Sequence, residues 1–251
     1  MMTVHTRGPN VAIIKNFGES KAIWAVKMLE SFTSLIKVSA PEANIEFFNA
    51  VTDLALPCPN TYDIIFLTGG VYNLALEKVD PWVERELDYI RAMHLKAPAT
   101  KVIGSCWGHQ AIARALGGEV AFVTNKHVIG TKLERLTATG KRLFKAETLK
   151  LPHFRMRRVA QPAPDAVALA EDNSMFYYPS RNIVSLQAHP EFTSAISRNV
   201  LDTDGGAFSG NMDEDELAST RASFDLRHDG EKTFATLMGW ALGCKELKVT
   251  A

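Results

Sequence analysis

Cysteine is scarce in this chain: three in 251 residues, Cys58, Cys106 and Cys244, far apart and odd in number. That excludes a disulfide framework and a zinc knuckle and fits a reducing compartment. Net charge is lacking too, with 28 basic side chains against 28 acidic ones, so no nucleic-acid partner is expected. No apolar run approaches the roughly 18 residues of a membrane span, and the start through Pro9 is too polar for a signal peptide. The expectation is a cytoplasmic protein with no membrane partner. Repeats and low-complexity linkers are missing as well. His5, His94, His127, His153 and His228 are scattered without partners at ligand spacing, so neither a metal nor another cofactor is expected.

What is present is a 46% hydrophobic chain of a length that suits one domain over residues 1–251, with a core over about 10–192 and a helical extension over about 193–251. The short continuous apolar run Val11–Ile14 reads as a parallel strand covered on both faces, Ile45–Phe48 as a second strand, and Tyr62–Thr68 and Val102–Ile103 as further buried strands. Helical periodicity separates them, from Ser20, a candidate cap, to about Leu35, and from Pro81 behind a capping Asp80 to about Met93. The pattern predicts an α/β fold, a doubly wound and mostly parallel sheet whose ligands bind at the carboxyl ends of its strands. Glu119–Val123 and Val128–Leu136 read as antiparallel additions to that sheet, and Thr137–Pro152 as a polar flap over the site. Val167–Ala170, Met175–Tyr178 and Ile183–Gln187 read as further strands. Asp202–Asp215 reads as a weakly ordered piece before two closing helices, Glu214–Phe224 and Lys232–Leu242. Trp24 and Trp240 read as core residues.

The chemistry centres on Lys101 to Gln110, where a strand meets Gly104, then Cys106, then a helical run from Gln110 to Leu116. Strand, sharp turn, nucleophile, helix is the geometry of a nucleophile elbow, and a helix N-terminus favours a thiolate. Gly104 and Gly108 are expected to leave the thiol room. A thiol nucleophile needs a base and the base an orienting group. His189-Pro190-Glu191 offers both: Pro190 holds His189 extended, and residues two apart share a face. A glycine pair, Gly69–Gly70, follows the third strand and marks a turn or a close backbone approach.

Gly104-Ser105-Cys106-Trp107-Gly108-His109-Gln110, with Leu186-Gln187-Ala188-His189-Pro190-Glu191 downstream, resembles the class I glutamine amidotransferase family, the triad type of glutaminase domain. Within it the sequence is most similar to stand-alone microbial and fungal proteins that resemble the glutaminase part of GMP synthase. The resemblance runs from about Val11 to Phe192. It implies Cys106 as nucleophile, His189 as general base and acid, Glu191 as its orienter, and backbone N–H groups of Gly70 and Trp107 as an oxyanion hole. It places Gln110 on the substrate side of the pocket, although a first-turn glutamine could equally be structural. The implied reaction is hydrolysis of a carboxamide, that of glutamine, through a thioester. In such proteins the ammonia passes to a synthetase or other acceptor enzyme, and no Walker-type glycine loop is found in this chain.

The pattern departs from the family in two places. Val128-Ile129-Gly130 stands where a Glu-x-Gly is common, and Arg155-Met156-Arg157 where a His-x-Asp is common. Either arginine facing the pocket would favour another amide, thioester or γ-glutamyl substrate, because arginine is a fork for carboxylates. The alternation of Phe154 and Met156 with Arg155 and Arg157 fits equally an ordinary half-exposed strand. Trp107 either shapes the acyl pocket or packs against the flap. A non-catalytic regulatory subunit is the remaining alternative, and the intact Cys106, His189 and Glu191 set argues against it.

Overall fold

The computed structural model describes residues 7–18, 22–123, 127–210, 212–245 and 247, with His94 described in its backbone alone. The candidate cap Ser20 and His5 lie outside these residues. In chain order the elements are β1 (Asn10–Lys15), α1 (Ile23–Ser39), β2 (Asn44–Asn49), β3 (Ile64–Leu67), α2 (Pro81–Lys96) and β4 (Lys101–Ser105). There follow α3 (Trp107–Ala115), β5 (Glu119–Phe122), β6 (Val128–Arg135), α4 (Ala138–Phe144), β7 (Thr148–Arg155) and β8 (Arg157–Gln161). The last six are β9 (Val167–Ala168), β10 (Met175–Tyr178), β11 (Ile183–Leu186), α5 (Ser194–Thr203), α6 (Glu214–Ser223) and α7 (Gly230–Ala241).

The central sheet runs β2-β1-β3-β4-β11-β10-β9. β2, β1, β3, β4 and β11 pair in parallel, and β10 runs antiparallel to both its neighbours. Strands covered on both faces lose the polar alternation of a half-exposed sheet, and β1, β3 and β11 are accordingly buried through Val11–Ile14, Ile64–Leu67 and Ile183–Leu186. One face carries α1 and α7. Ala25, Met28, Phe32 and Ile36 recur at three- and four-residue spacing and turn one stripe of α1 inward. Phe66 of the sheet stacks on Phe234 of α7 at 5.4 Å, and Phe32 meets Phe66 edge-on at 5.6 Å. Each such ring contributes about 1.5–3 kcal/mol by leaving water. The other face carries α2 and α3, with Val83, Leu87, Ile90, Ala111 and Ile112 in a second apolar cluster. This is the mixed, mostly parallel α/β sheet flanked by helices that the sequence predicts.

Two local expectations are corrected. β5 and β6 do not join the central sheet: β5 pairs with β8 and β6 with β7, each as a separate antiparallel pair. The antiparallel additions are β10 and its edge neighbour β9. Residues 137–152 are no flap but α4 and the start of β7, with Leu143, Phe144, Leu149 and Leu151 in the core. Asp80 takes the first cap of α2 without a side-chain cap bond. Helix α5, which the sequence does not mark off within the expected helical extension, is capped by Thr193, whose hydroxyl accepts from Ile196 N.

Candidate active site

The carboxyl ends of β3, β4 and β11 lie side by side and lead into Gly69–Gly70, Cys106 and Gln187–Glu191. Leu186 is in register with Ser105, so the residues that follow the two strands emerge together. Cys106 stands between β4 and α3 with φ +50° and ψ −102°, a backbone that a non-glycine residue adopts only under local strain. Its N–H donates to Leu186 O at 2.9 Å, which ties the elbow to β11. The glycines around it serve helix packing more than access to the thiol. A Cβ at Gly104 would lie 2.9 Å from the Gly108 carbonyl, and one at Gly108 2.5 Å from Leu67 O, so α3 lies directly on the strands. That contact sets the height of the elbow.

His189 is buried, and its backbone N–H donates to Pro152 O of β7 at 2.9 Å. Its Nδ1 lies 2.8 Å from Glu191 Oε1, and its ring stacks on Phe192 at 4.0 Å. Glu191 is held in turn, since its carbonyl accepts from Ser31 Oγ of α1 at 2.6 Å. A methyl group placed on Gly69 would come within 2.7 Å of His189 Cε1 and 3.6 Å of Cys106 Cβ, so the His189 and Cys106 side chains converge on this one glycine. Burial opposes the imidazolium, but the negative charges of Cys106 and Glu191 outweigh it and push His189 up to about 10. The bonded Nδ1 leaves Nε2 as the ring nitrogen open to another partner. Cys106 Sγ lies 3.6 Å from Phe154 O.

Trp107 opens α3, so its backbone N–H is one of the orphan amides of a helix start beside the sulfur. Its indole does neither of the things expected. The ring stacks on Trp82 at 5.5 Å and donates to Tyr72 O at 3.1 Å, fully buried beneath the elbow. Gly70 sits on Asn16: a Cβ there would be 2.2 Å from Asn16 O. Asn16 is fixed from two sides, its N–H donating to Thr68 Oγ1 at 3.0 Å and its Nδ2 to both oxygens of Glu86, at 2.6 and 2.7 Å. Glu86 is fully buried on α2, and burial raises its pKa to about 8, against a smaller opposing pull from Asn16.

A cavity of about 230 Å³ opens beside Cys106, Gly69, Gly70 and His189. Its wall is aromatic and aliphatic: Trp24 and Met28 of α1, Phe154, Phe192, Val200 and Phe208. Three expected substrate contacts are placed elsewhere. Gln110 is turned inward, donating through Nε2 to Arg157 O at 3.1 Å and Gln187 Oε1 at 3.0 Å, and it does not line this cavity. Arg155 is drawn to Asp172 at 3.3 Å. Arg157 is buried, its Nη2 bonded to Val71 O at 2.9 Å. Burial lowers its pKa against the pull of the nearby Cys106 charge. Half-buried Trp24 is a wall residue as much as a core residue. Trp240 is core, as expected.

Behind Cys106 lie further buried polar groups. His109 is held neutral by burial, its pKa pushed down to about 3, with Nδ1 2.8 Å from Ser185 Oγ and Nε2 3.1 Å from Asn173 O. The carbonyl partner makes Nε2 the protonated nitrogen and leaves Nδ1 to accept. His153 and Glu134 are paired at 2.7 Å, and Ser174 Oγ donates to the other Glu134 oxygen. The pairing of β6 with β7 brings His153 and Glu134 together. Glu86 did carry a signal: it falls between Val83, Leu87 and Ile90 on the apolar stripe of α2. Among the described residues no His, Cys, Asp and Glu group is arranged to hold a metal ion, and no helix is long and apolar enough to cross a membrane.

Comparison with known proteins agrees with this geometry. The family model for glutamine amidotransferase class-I matches residues 25–202. The glutamine amidotransferase-like protein chry6 of Gibberella zeae is 31% identical over 214 residues, 85% of this chain and 88% of that protein. The glutamine amidotransferase-like protein chyE of Penicillium rubens is 28% identical over 221 residues, 86% of this chain and 92% of the relative. The crystal structure of a glutamine amidotransferase from Thermotoga maritima shares the fold at a TM-score of 0.72 and 18% identity, covering 93% of this chain and 98% of that one. With a buried cysteine beside a histidine at the carboxyl edge of such a sheet, this chain belongs to the class I glutamine amidotransferase family.

Proposed function

We propose that the protein is a cysteine-dependent amidohydrolase that opens a primary carboxamide through a thioester on Cys106. The observation that carries this reading is the convergence of the Cys106 and His189 side chains on Gly69, with His189 held by Glu191 at 2.8 Å. The Cys106 thiolate attacks the carbonyl carbon, and the developing oxyanion is received by the N–H groups of Gly70 and Trp107, a stabilisation worth about 3 kcal/mol per donor. His189 Nε2 gives its proton to the departing ammonia, then takes one from the water that cleaves the thioester. Glu191 keeps the imidazole oriented and favours its charged form. Glutamine, the donor implied by the family, is the reference substrate, and a synthetase or other acceptor enzyme is the partner that would take the ammonia.

The test follows ammonia release from glutamine and a panel of other amides together with the mass of the protein. Turnover is expected with a transient acyl adduct on Cys106, and Cys106→Ala is expected to lower it by about 10⁴- to 10⁶-fold. A Cys106→Ala variant as fast as the parent would end this mechanism.

A further inference from the structure

The turn that carries Gly70 is held by side chains rather than by its own backbone. Among the described residues, 69–72 make no main-chain bond to another main-chain group. Their carbonyls are met instead by side-chain donors: Gly69 O by Thr68 Oγ1 at 3.0 Å, Val71 O by Arg157 Nη2 at 2.9 Å, and Tyr72 O by the Trp107 indole at 3.1 Å. Arg157 reaches the turn from β8, and its own backbone is tied to α3, because its carbonyl accepts from Gln110 Nε2 at 3.1 Å. One path therefore runs from the helix behind Cys106, through Gln110 and Arg157, to the residue after Gly70. Arg157 is a costly side chain to keep there. It is buried, its Nε has no partner among the described residues, and its guanidinium stands 5.9 Å from the centre of the Phe122 ring. Burial works against its charge, and the negative charge of nearby Cys106 favours it.

We propose that Arg157 is a positioning residue that latches the turn at Gly69–Tyr72 where the Gly70 N–H can receive the oxyanion. This rests on the thiol-hydrolase reading above. Val71 is exposed, so packing does little to hold the turn at that point, and the bond to its carbonyl takes over that task. The guanidinium suits the work because it is planar, permanently charged and set against the Phe122 ring. A turn fixed in advance needs no rearrangement as charge develops on the substrate oxygen. The departure from the family pattern at this position is then a change of task. A carboxylate can only accept hydrogen bonds, and the Val71 carbonyl needs a donor.

The test separates attack on a carbonyl, which places charge in the oxyanion hole, from alkylation, which does not. The full chain is treated with p-nitrophenyl acetate and, separately, with iodoacetamide. Modification of Cys106 is followed by peptide mass, with the exposed Cys58 and Cys244 as reference thiols. Arg157→Met is expected to slow Cys106 acylation about ten- to a hundredfold, less than the outright loss of a donor, while alkylation stays within about threefold of the parent. Arg157→Lys keeps the charge and loses the fork, so it is expected to lower the ratio of acylation to alkylation several-fold. It decides the matter where the methionine variant does not fold. An unchanged ratio in a folded variant, or a fall in both rates together, would overturn the proposal. If the parent acylates Cys106 no faster, relative to alkylation, than it does Cys58 and Cys244, the oxyanion hole itself is struck and the latch with it. Ammonia release by Cys106→Ala at the parent rate would instead strike the hydrolase reading.

Discussion

Replacing Glu86 by glutamine separates the electrostatic from the packing role of the most deeply buried carboxyl near the site. Burial raises Glu86 from an ordinary 4.5 to about 8, although Asn16 Nδ2 donates to both its oxygens. For an acid whose folded-state pKa is raised, the folded chain holds the proton more tightly than the unfolded chain. The stability gained is therefore full below pH 4.5 and is lost as pH rises through about 8. At 1.36 kcal/mol per pH unit the loss approaches ~4 kcal/mol between pH 5 and pH 8. Glu86→Gln keeps the shape and leaves Asn16 Nδ2 one acceptor, its NH2 standing where the protonated carboxyl carries its hydroxyl, so each presents one acceptor and one donor to Asn16. Parent and variant are thus expected to be within about 1 kcal/mol of each other at pH 5, and the variant the more stable by a few kcal/mol at pH 8.5. Urea melts at four pH values between 5 and 9 measure the difference directly. A parent-minus-variant difference that does not change with pH would refute the reasoning. Because Asn16 also seats Gly70, the same variant is expected to flatten any decline in turnover over this pH range.

Gly69→Ala places a methyl 2.7 Å from His189 Cε1, so the imidazole must shift. Turnover is expected to drop about 10²-fold with a melting temperature within a few degrees of the parent, measured by ammonia release and calorimetry. Glu191→Gln removes a charge that helps hold His189 up at about 10. The alkaline limb of the pH–rate profile is expected to move toward lower pH, and kcat to drop by roughly 10²- to 10⁴-fold. A limb that stays in place would remove Glu191 from the set. Asp204→Ala frees the amides of Gly206, Phe208 and Ser209. Faster hydrogen exchange over 204–209 and a KM raised more than kcat is lowered are expected, at a cost of about 1–2 kcal/mol in local stability.

The parallel sheet and the elbow were legible because both leave local marks: continuous apolar runs at Val11–Ile14 and Ile64–Leu67, and glycines flanking a cysteine between strand and helix. The His189–Glu191 pairing was legible because two residues separated by a proline fix their own geometry. The partners of β5 and β6 were not, since antiparallel runs with mixed alternation do not say which strand they will meet. The pocket wall was not legible either. Trp24, Phe192 and Phe208 come from α1, from the turn after His189 and from the loop after α5, and nothing local links them. Arg157 shows the limit most plainly: its place in the sequence fits a half-exposed strand, yet its Nη2 reaches the Val71 carbonyl across the fold.

The β6–β7 pair forms its own ladder, apart from the seven-stranded sheet, yet Phe154 at its end lies against the sulfur, and the carbonyl of its Pro152 holds the His189 backbone. The Cys106 thiol and the His189 ring thus hang on one scaffold while part of the cavity wall beside them hangs on another. Phe154 is the β7 residue that lines the cavity, whereas Leu149 and Leu151 are packed with the central sheet, so libraries aimed at new donors should begin at Phe154 before touching β4 or β11.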